Sequence, residues 1–148
     1  MMPWSKQQAL AIELTGKNIT VSAGAGAGKT AVLIARLTKR IIDDQISVEN
    51  ILAITFTEAA ASEIKKRLTK SLAKAYLDQP TTYLQKQLAL LASANISTIH
   101  SFCLYIIKNY YYVLQLDKAV TANILDPTMA QYYQNQAARV CHNQETLK

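Results

Sequence analysis

The sequence predicts an open α/β fold, with parallel strands joined by crossover helices. Two observations predict it. Short β-prone runs alternate with longer runs of helical periodicity in the order β-α-β-α-α-β-α, the order of a sheet wound with crossovers. Three of the four glycines, Gly24, Gly26 and Gly28, fall at the junction between the first of those strands and the first long helix. About ten glycines would be ordinary for a chain of this length. The glycine present is therefore concentrated where the backbone needs special freedom.

Residues 5–15 read as a short helix with Ala9, Ile12 and Leu14 facing inward, broken by Gly16-Lys17-Asn18. Ile19-Thr20-Val21-Ser22 is β-prone and reads as the first strand. Residues 30–42 carry Val32, Leu33, Ala35, Leu37 and Ile41 as a wide apolar face of a helix. The second strand, residues 50–56, is continuously apolar, as in a strand buried on both faces. A helix over 58–77 follows, with Ala60, Ile64, Leu68, Leu72 and Tyr76 at every fourth position. Asp78-Gln79-Pro80 ends it, and residues 82–92 form another short helix. Ile96-Ser97-Thr98 is a third strand. Residues 99–116 are helical, burying Ile99, Phe102, Cys103, Ile106, Tyr110 and Val113. Asp126-Pro127 has the pattern of a helix start, an Asp cap followed by proline in the first turn. A last helix carries Met129, Tyr132, Tyr133, Ala137 and Val140.

Composition narrows the function classes. The chain has 148 residues, 50% hydrophobic and 18% charged, so it has the means to bury a core and is not of disordered composition. No apolar run reaches membrane-spanning length. The first residues lack the unbroken apolar segment of a secretory signal. Cys103 and Cys141 stand far apart without metal-site spacing, and are expected as reduced thiols of a cytoplasmic protein. The net charge of +6 favours an anionic partner.

Ala23-Gly24-Ala25-Gly26-Ala27-Gly28-Lys29-Thr30 fits the phosphate-loop pattern, with Ala23 at the first glycine position. Small residues let the backbone wrap a polyphosphate, with successive N–H groups pointing inward. The start of the following helix adds partial positive charge. Lys29 would reach the β- and γ-phosphates of ATP, and Thr30 would put its hydroxyl on Mg²⁺. The plainer alternative is a small-residue turn before an ordinary helix. The strand before and the helix after argue against it.

The flanking segments carry a resemblance. Trp4-Ser5-Lys6-Gln7-Gln8-Ala9-Leu10-Ala11-Ile12 resembles the Q motif of superfamily 1 DNA helicases of the UvrD/Rep class. The resemblance implies that Gln8 reads adenine, for which an amide has the donor and acceptor; otherwise it is a polar surface residue. Ile54-Thr55-Phe56-Thr57-Glu58-Ala59-Ala60-Ala61-Ser62-Glu63-Ile64 looks like motif Ia of that class. It implies contacts from Thr55 and Thr57 to DNA phosphates and a base stacked on Phe56. Without the family, an aromatic at a strand end reads as core. Glu58 replaces the usual asparagine, and a carboxylate there would repel a nearby phosphate. Ile96-Ser97-Thr98-Ile99-His100-Ser101-Phe102-Cys103 resembles motif Ib, which implies DNA contact at Thr98 and His100. A satisfied histidine at a helix start fits His100 equally well. The motif Ib string and Tyr110-Tyr111-Tyr112 after it are most similar to the AddA-type branch, the helicase–nuclease subunit of bacterial double-strand-break repair by homologous recombination. Lys66, Lys70 and Lys74 form a row that is either a solvated face or a DNA track; in the second case each phosphate neutralised adds ~0.7 to the salt slope on single strands.

The resemblance implies a partial RecA-like domain over residues 1–125 and the start of a helical insertion over 126–148. It also implies single- and double-stranded DNA and a second, AddB-type helicase–nuclease subunit for partners, with no membrane. Hydrolysis in such a domain needs an apolar strand ending in Asp-Glu. The one adjacent acidic pair here, Asp43-Asp44, follows Lys39-Arg40-Ile41-Ile42 at a helix end. Two functional expectations stand side by side: the N-terminal piece of an ATP-dependent helicase/nuclease, inactive in turnover by itself, or a non-catalytic nucleotide- or DNA-binding module. A small phosphoryl-transfer enzyme unrelated to DNA is disfavoured by the motif Ia and Ib strings. A three-stranded remnant with an open edge is also expected to be weakly stable in solution.

Overall fold

The computed structural model describes residues 4–113, 115–117, 131–132 and 134–135. The elements are α1 (Lys6–Glu13), α2 (Lys29–Ile42), a 3₁₀ turn (Val48–Asn50), β1 (Leu52–Thr55), α3 (Glu58–Asp78), α4 (Thr82–Leu90), a second 3₁₀ turn (Leu91–Ser93), β2 (Asn95–Thr98) and α5 (Ile99–Tyr110). β1 and β2 pair in parallel, with Leu52 opposite Asn95 and Thr55 opposite Thr98. A parallel pair needs a crossover, and α3 and α4 supply it. The fold is thus α/β.

Two compact units divide the chain, Met1–Phe102 and Cys103–Lys148. In the first, the core gathers Ile34, Leu37 and Ile41 of α2, Ile64, Leu68 and Leu72 of α3, Leu84 of α4 and Ile96 of β2. The helices start where side chains satisfy otherwise orphaned N–H groups. Thr57 Oγ1 accepts from Ala60 N at 3.1 Å to open α3, and Thr81 Oγ1 accepts from Leu84 N at 3.2 Å to open α4. Gln87 is sealed in this core at 1% exposure, and its Oε1 accepts from Val48 N at 2.8 Å. That bond pins the turn that leads into β1.

Several expectations need correction. Ile19-Thr20-Val21-Ser22 is extended but joins no ladder among the described residues, so the sheet has two strands there instead of three. β-propensity prepares a strand, but only a paired neighbour makes one. β1 is not covered on both faces: Leu52 is 48% and Ile54 46% exposed, because helix packing reaches only the other side of the strand. On α3 the buried small residue is Ala61, and Ala60 is exposed. A stripe of strict four-residue spacing drifts around a helix of 3.6 residues per turn. On α2, Ile34 is buried where Leu33 and Ala35 were expected, and both of those are half-buried.

The helix expected over 99–116 ends at Tyr110, and none of its residues is buried. Ile99, Cys103, Tyr110 and Val113 are exposed, and Phe102 and Ile106 are half-buried. An apolar period marks a face, and burial also requires a surface against it. Past Tyr110 the chain turns, with Gln115 at φ 53° and Leu116 N donating to Tyr111 O at 3.0 Å. This left-handed residue closes the helix end. The tyrosine run packs on itself, with Tyr111 and Tyr112 edge to face at 5.9 Å. Asp126-Pro127 and Cys141 lie outside the described residues. Of the last helix only 131–132 and 134–135 are described, and they are helical.

Candidate functional site

The phosphate loop is built by backbone conformation. Gly26 lies at φ 76° and Gly28 at φ 79°, both in the left-handed region that side chains disfavour. Gly28 caps α2 with no side-chain help, and its carbonyl accepts from Val32 N at 3.0 Å. A Cβ on Gly24 or Gly26 would meet nothing within 4 Å, so the concavity is open. No acidic side chain sits in the first turn of α2 to neutralise the helix start. Lys29 Nζ spans the loop, donating to Ala23 O at 2.7 Å and Gly24 O at 2.8 Å. An ammonium has three N–H donors, so one remains for a phosphate oxygen. Thr30 follows in the first turn, exposed.

These residues fit a magnesium nucleotide. The described residues contain no group of three or more His, Cys, Asp or Glu able to hold a metal. Mg²⁺ bound with ATP takes most of its ligands from water and phosphates, so a single hydroxyl at Thr30 is a sufficient protein contribution to its binding.

Gln8 joins α1 to the loop. Ser5 Oγ accepts from Gln8 N at 3.2 Å, and Gln8 Oε1 accepts from Ser5 N at 2.9 Å, a reciprocal cap. Gln8 Nε2 donates to Ala27 O at 3.3 Å. One amide N–H and one lone pair remain, the pair that an adenine edge needs. A cavity of about 470 Å³ opens beside it, walled by Ser5, Gln8, Ala11, Val21, Lys29 and Val32 among others. That size suits a small-molecule ligand.

Sequence reasoning missed how α1 is held. Arg36 of α2 donates to Ala11 O at 2.7 Å and Leu14 O at 2.9 Å, and Arg40 donates to Leu14 O at 2.7 Å. These are the unsatisfied carbonyls at the end of α1, whose last turn has no basic residue of its own. The signal available was the i, i+4 pair of arginines on an otherwise apolar helix. The carboxylates of Asp43 and Asp44 pair with Lys39, at 3.0 Å, and with Arg40. The acidic pair is thus engaged at the end of α2.

The second part of the site is the shared end of β1 and β2. Phe56 is 99% exposed and Thr57 and His100 are exposed, while Thr98 is buried at 6%. Thr55 Oγ1 donates to Thr57 O at 2.9 Å, which spends its only O–H. Thr57 Oγ1 accepts from the α3 backbone and keeps its own proton to donate. Glu58 Oε1 accepts from Ser101 Oγ at 2.7 Å and from Thr98 Oγ1 at 2.8 Å. Those hydroxyls, with Lys65 nearby, hold the Glu58 carboxyl below its ordinary range against a small opposing effect of burial. This bridge was not legible from sequence, since its ends are some forty residues apart. Lys66, Lys70 and Lys74 are exposed along α3.

An α/β unit whose glycine-shaped loop leads into a helix through a lysine and a threonine is a nucleotide-phosphate-binding domain. The family model described as the UvrD/REP helicase N-terminal domain matches residues 4–147, and the chain belongs to that family, with its RecA-like phosphate-loop fold. The chain is 48% identical over 117 residues to an ATP-dependent helicase/nuclease subunit of Bacillus anthracis, a match covering 77% of this chain and 9% of that protein. It is 47% identical over 117 residues to the protein of the same name from Bacillus cereus strain AH187, again 77% and 9%. The chain therefore spans about a tenth of the length of these curated relatives.

Proposed function

We propose that these residues are the N-terminal, nucleotide-binding portion of an ATP-dependent DNA helicase/nuclease subunit that acts in double-strand-break repair. The observation that carries this reading is the joint geometry of the loop and Gln8. The loop has two left-handed glycines and a lysine stretched across it, and Gln8 is bonded to Ala27 beside an open cavity. In this reading Lys29 steadies the β- and γ-phosphates, Thr30 contributes its hydroxyl to Mg²⁺, residues 23–28 wrap the phosphates and Gln8 recognises the base. Phe56, Thr57 and His100 meet single-stranded DNA, with Thr55 and Thr98 behind them. The names of the relatives support a cytoplasmic DNA-repair role in partnership with a second helicase–nuclease subunit, and no described helix is long and apolar enough to cross a membrane.

Within these 148 residues no strand ends in an acidic pair, and Asp43-Asp44 is occupied by Lys39 and Arg40. The chain by itself therefore binds nucleotide without turning it over. Titration with a fluorescent ATP analogue and Mg²⁺ tests the binding. Saturable binding is expected, and Lys29→Ala should weaken it by about tenfold or more, the loss of a charge-assisted contact. Equal affinity in Lys29→Ala would remove the nucleotide reading.

A further inference from the structure

We infer that Glu58 is a positioning residue that locks the ends of β1 and β2 together, and so sets the spacing of the exposed groups that meet single-stranded DNA. The inference rests on the DNA-contact reading above. In sequence, a carboxylate in the first turn of α3 looks like a defect in a phosphate-facing surface. In the structure its charge is turned to another use. A single oxygen, Oε1, accepts from two hydroxyls that belong to the end of β2 and the first turn of α5, Thr98 at 2.8 Å and Ser101 at 2.7 Å. The two hydroxyls lie 3.0 Å from each other, and Thr98 Oγ1 also accepts from Ser101 N at 3.2 Å, which fixes the start of α5.

The bridge closes a ring. β1 and β2 are already paired up to Thr55 and Thr98, and Glu58 and Ser101 join the two segments again one turn beyond. Between those two ties lie Phe56, Thr57 and His100, all exposed. Thr57 is itself fixed by capping α3, and Thr55 donates to Thr57 O, so the β1 side is rigid up to Glu58. Hydrogen bonds to an ionised acceptor are the strong ones, and here two of them carry the connection. Hydroxyl donors also draw the carboxylate charge toward the protein and away from a phosphate on the outer face. An asparagine side chain is one methylene shorter, and its carbonyl would not reach the same point.

Two ideas about Glu58 predict opposite signs. A carboxylate that only repels phosphate is a liability, and removing it tightens DNA binding. A carboxylate that positions the contact groups is an asset, and removing it weakens binding. The test is fluorescence anisotropy of a labelled oligo-dT with the whole chain, alongside titration of a fluorescent ATP analogue. Glu58→Ala should lower oligo-dT affinity about tenfold, as expected for a lost charge-assisted bridge, and leave nucleotide affinity within about twofold. Glu58→Gln keeps an oxygen able to accept both hydroxyls and should restore wild-type affinity or better. Ser101→Ala, a milder change that removes one donor, should lower affinity about threefold, and should add little to Glu58→Ala in the double variant. A tighter or unchanged Glu58→Ala complex overturns the inference, as does a Glu58→Gln variant as weak as Glu58→Ala. Should Glu58→Ala fail to fold, Ser101→Ala and Glu58→Gln decide by the same criteria. Absence of oligo-dT binding by the wild-type chain, seen before any variant is measured, overturns the DNA reading and this inference with it.

Discussion

Gly28 shows how one residue can carry both a backbone and a ligand requirement. It sits at φ 79°, and a Cβ there would stand 3.5 Å from Gln8 Nε2. The close approach is ordinary contact, so the cost of Gly28→Ala lies in the backbone, about 1–2 kcal/mol for a left-handed non-glycine residue. Gly16 lies at φ 69° with nothing within 4 Å, away from the loop. Both alanine variants should therefore melt at lower temperature, but Gly28→Ala alone should lose affinity for a fluorescent ATP analogue. Equal affinity losses would show that the loop conformation is not what binds phosphate. Residues of the loop were legible because local spacing defines them: Lys29 and Thr30 follow glycines in a fixed order. Glu58 was not, because its meaning depends on Thr98 and Ser101, brought to it only by the pairing of the two strands.

Among the elements, α1 is the one whose placement most concerns the site. It is short, with only Ile12 buried, and a helix of this length is marginal alone. Arg36 and Arg40 hold its final carbonyls, and Gln8 holds its start to the phosphate loop. Burial pulls the Arg36 guanidinium below its ordinary value, yet it remains a cation at neutral pH and keeps its donors. Arg36→Met preserves much of the side-chain volume and removes the donors. It should destabilise the chain by about 1–3 kcal/mol in urea unfolding and weaken nucleotide binding severalfold through Gln8. A stability loss with unchanged nucleotide affinity would separate α1 from the site. The helices were readable from sequence because their period and caps are local. The stretch 19–22 was misread as a strand because ladder formation requires a partner that the described residues do not provide. The both-faces burial expected of β1 failed for a related reason. An apolar run reports what a strand is able to bury, while Leu52 and Ile54 stand half-exposed for want of a covering layer.

At the scale of the whole molecule, charge and chemistry point to a binding role. The chain carries a net charge of +6, and Lys66, Lys70 and Lys74 are exposed along α3. Its phosphate loop is fully furnished for an anion, while the only adjacent acidic pair is neutralised at the end of α2. Family membership was legible from the strings around the loop and the two strand ends, and the match over residues 4–147 agrees with it. Turnover is a property that those strings do not carry, because it needs a carboxylate poised over the γ-phosphate and its metal. The most direct test is phosphate release from Mg²⁺–ATP by the 148-residue chain, with and without oligo-dT, with nucleotide occupancy read in the same samples. Saturable occupancy with release no faster than buffer is the predicted result, with DNA or without it. DNA-stimulated release that disappears in Lys29→Ala would contradict it.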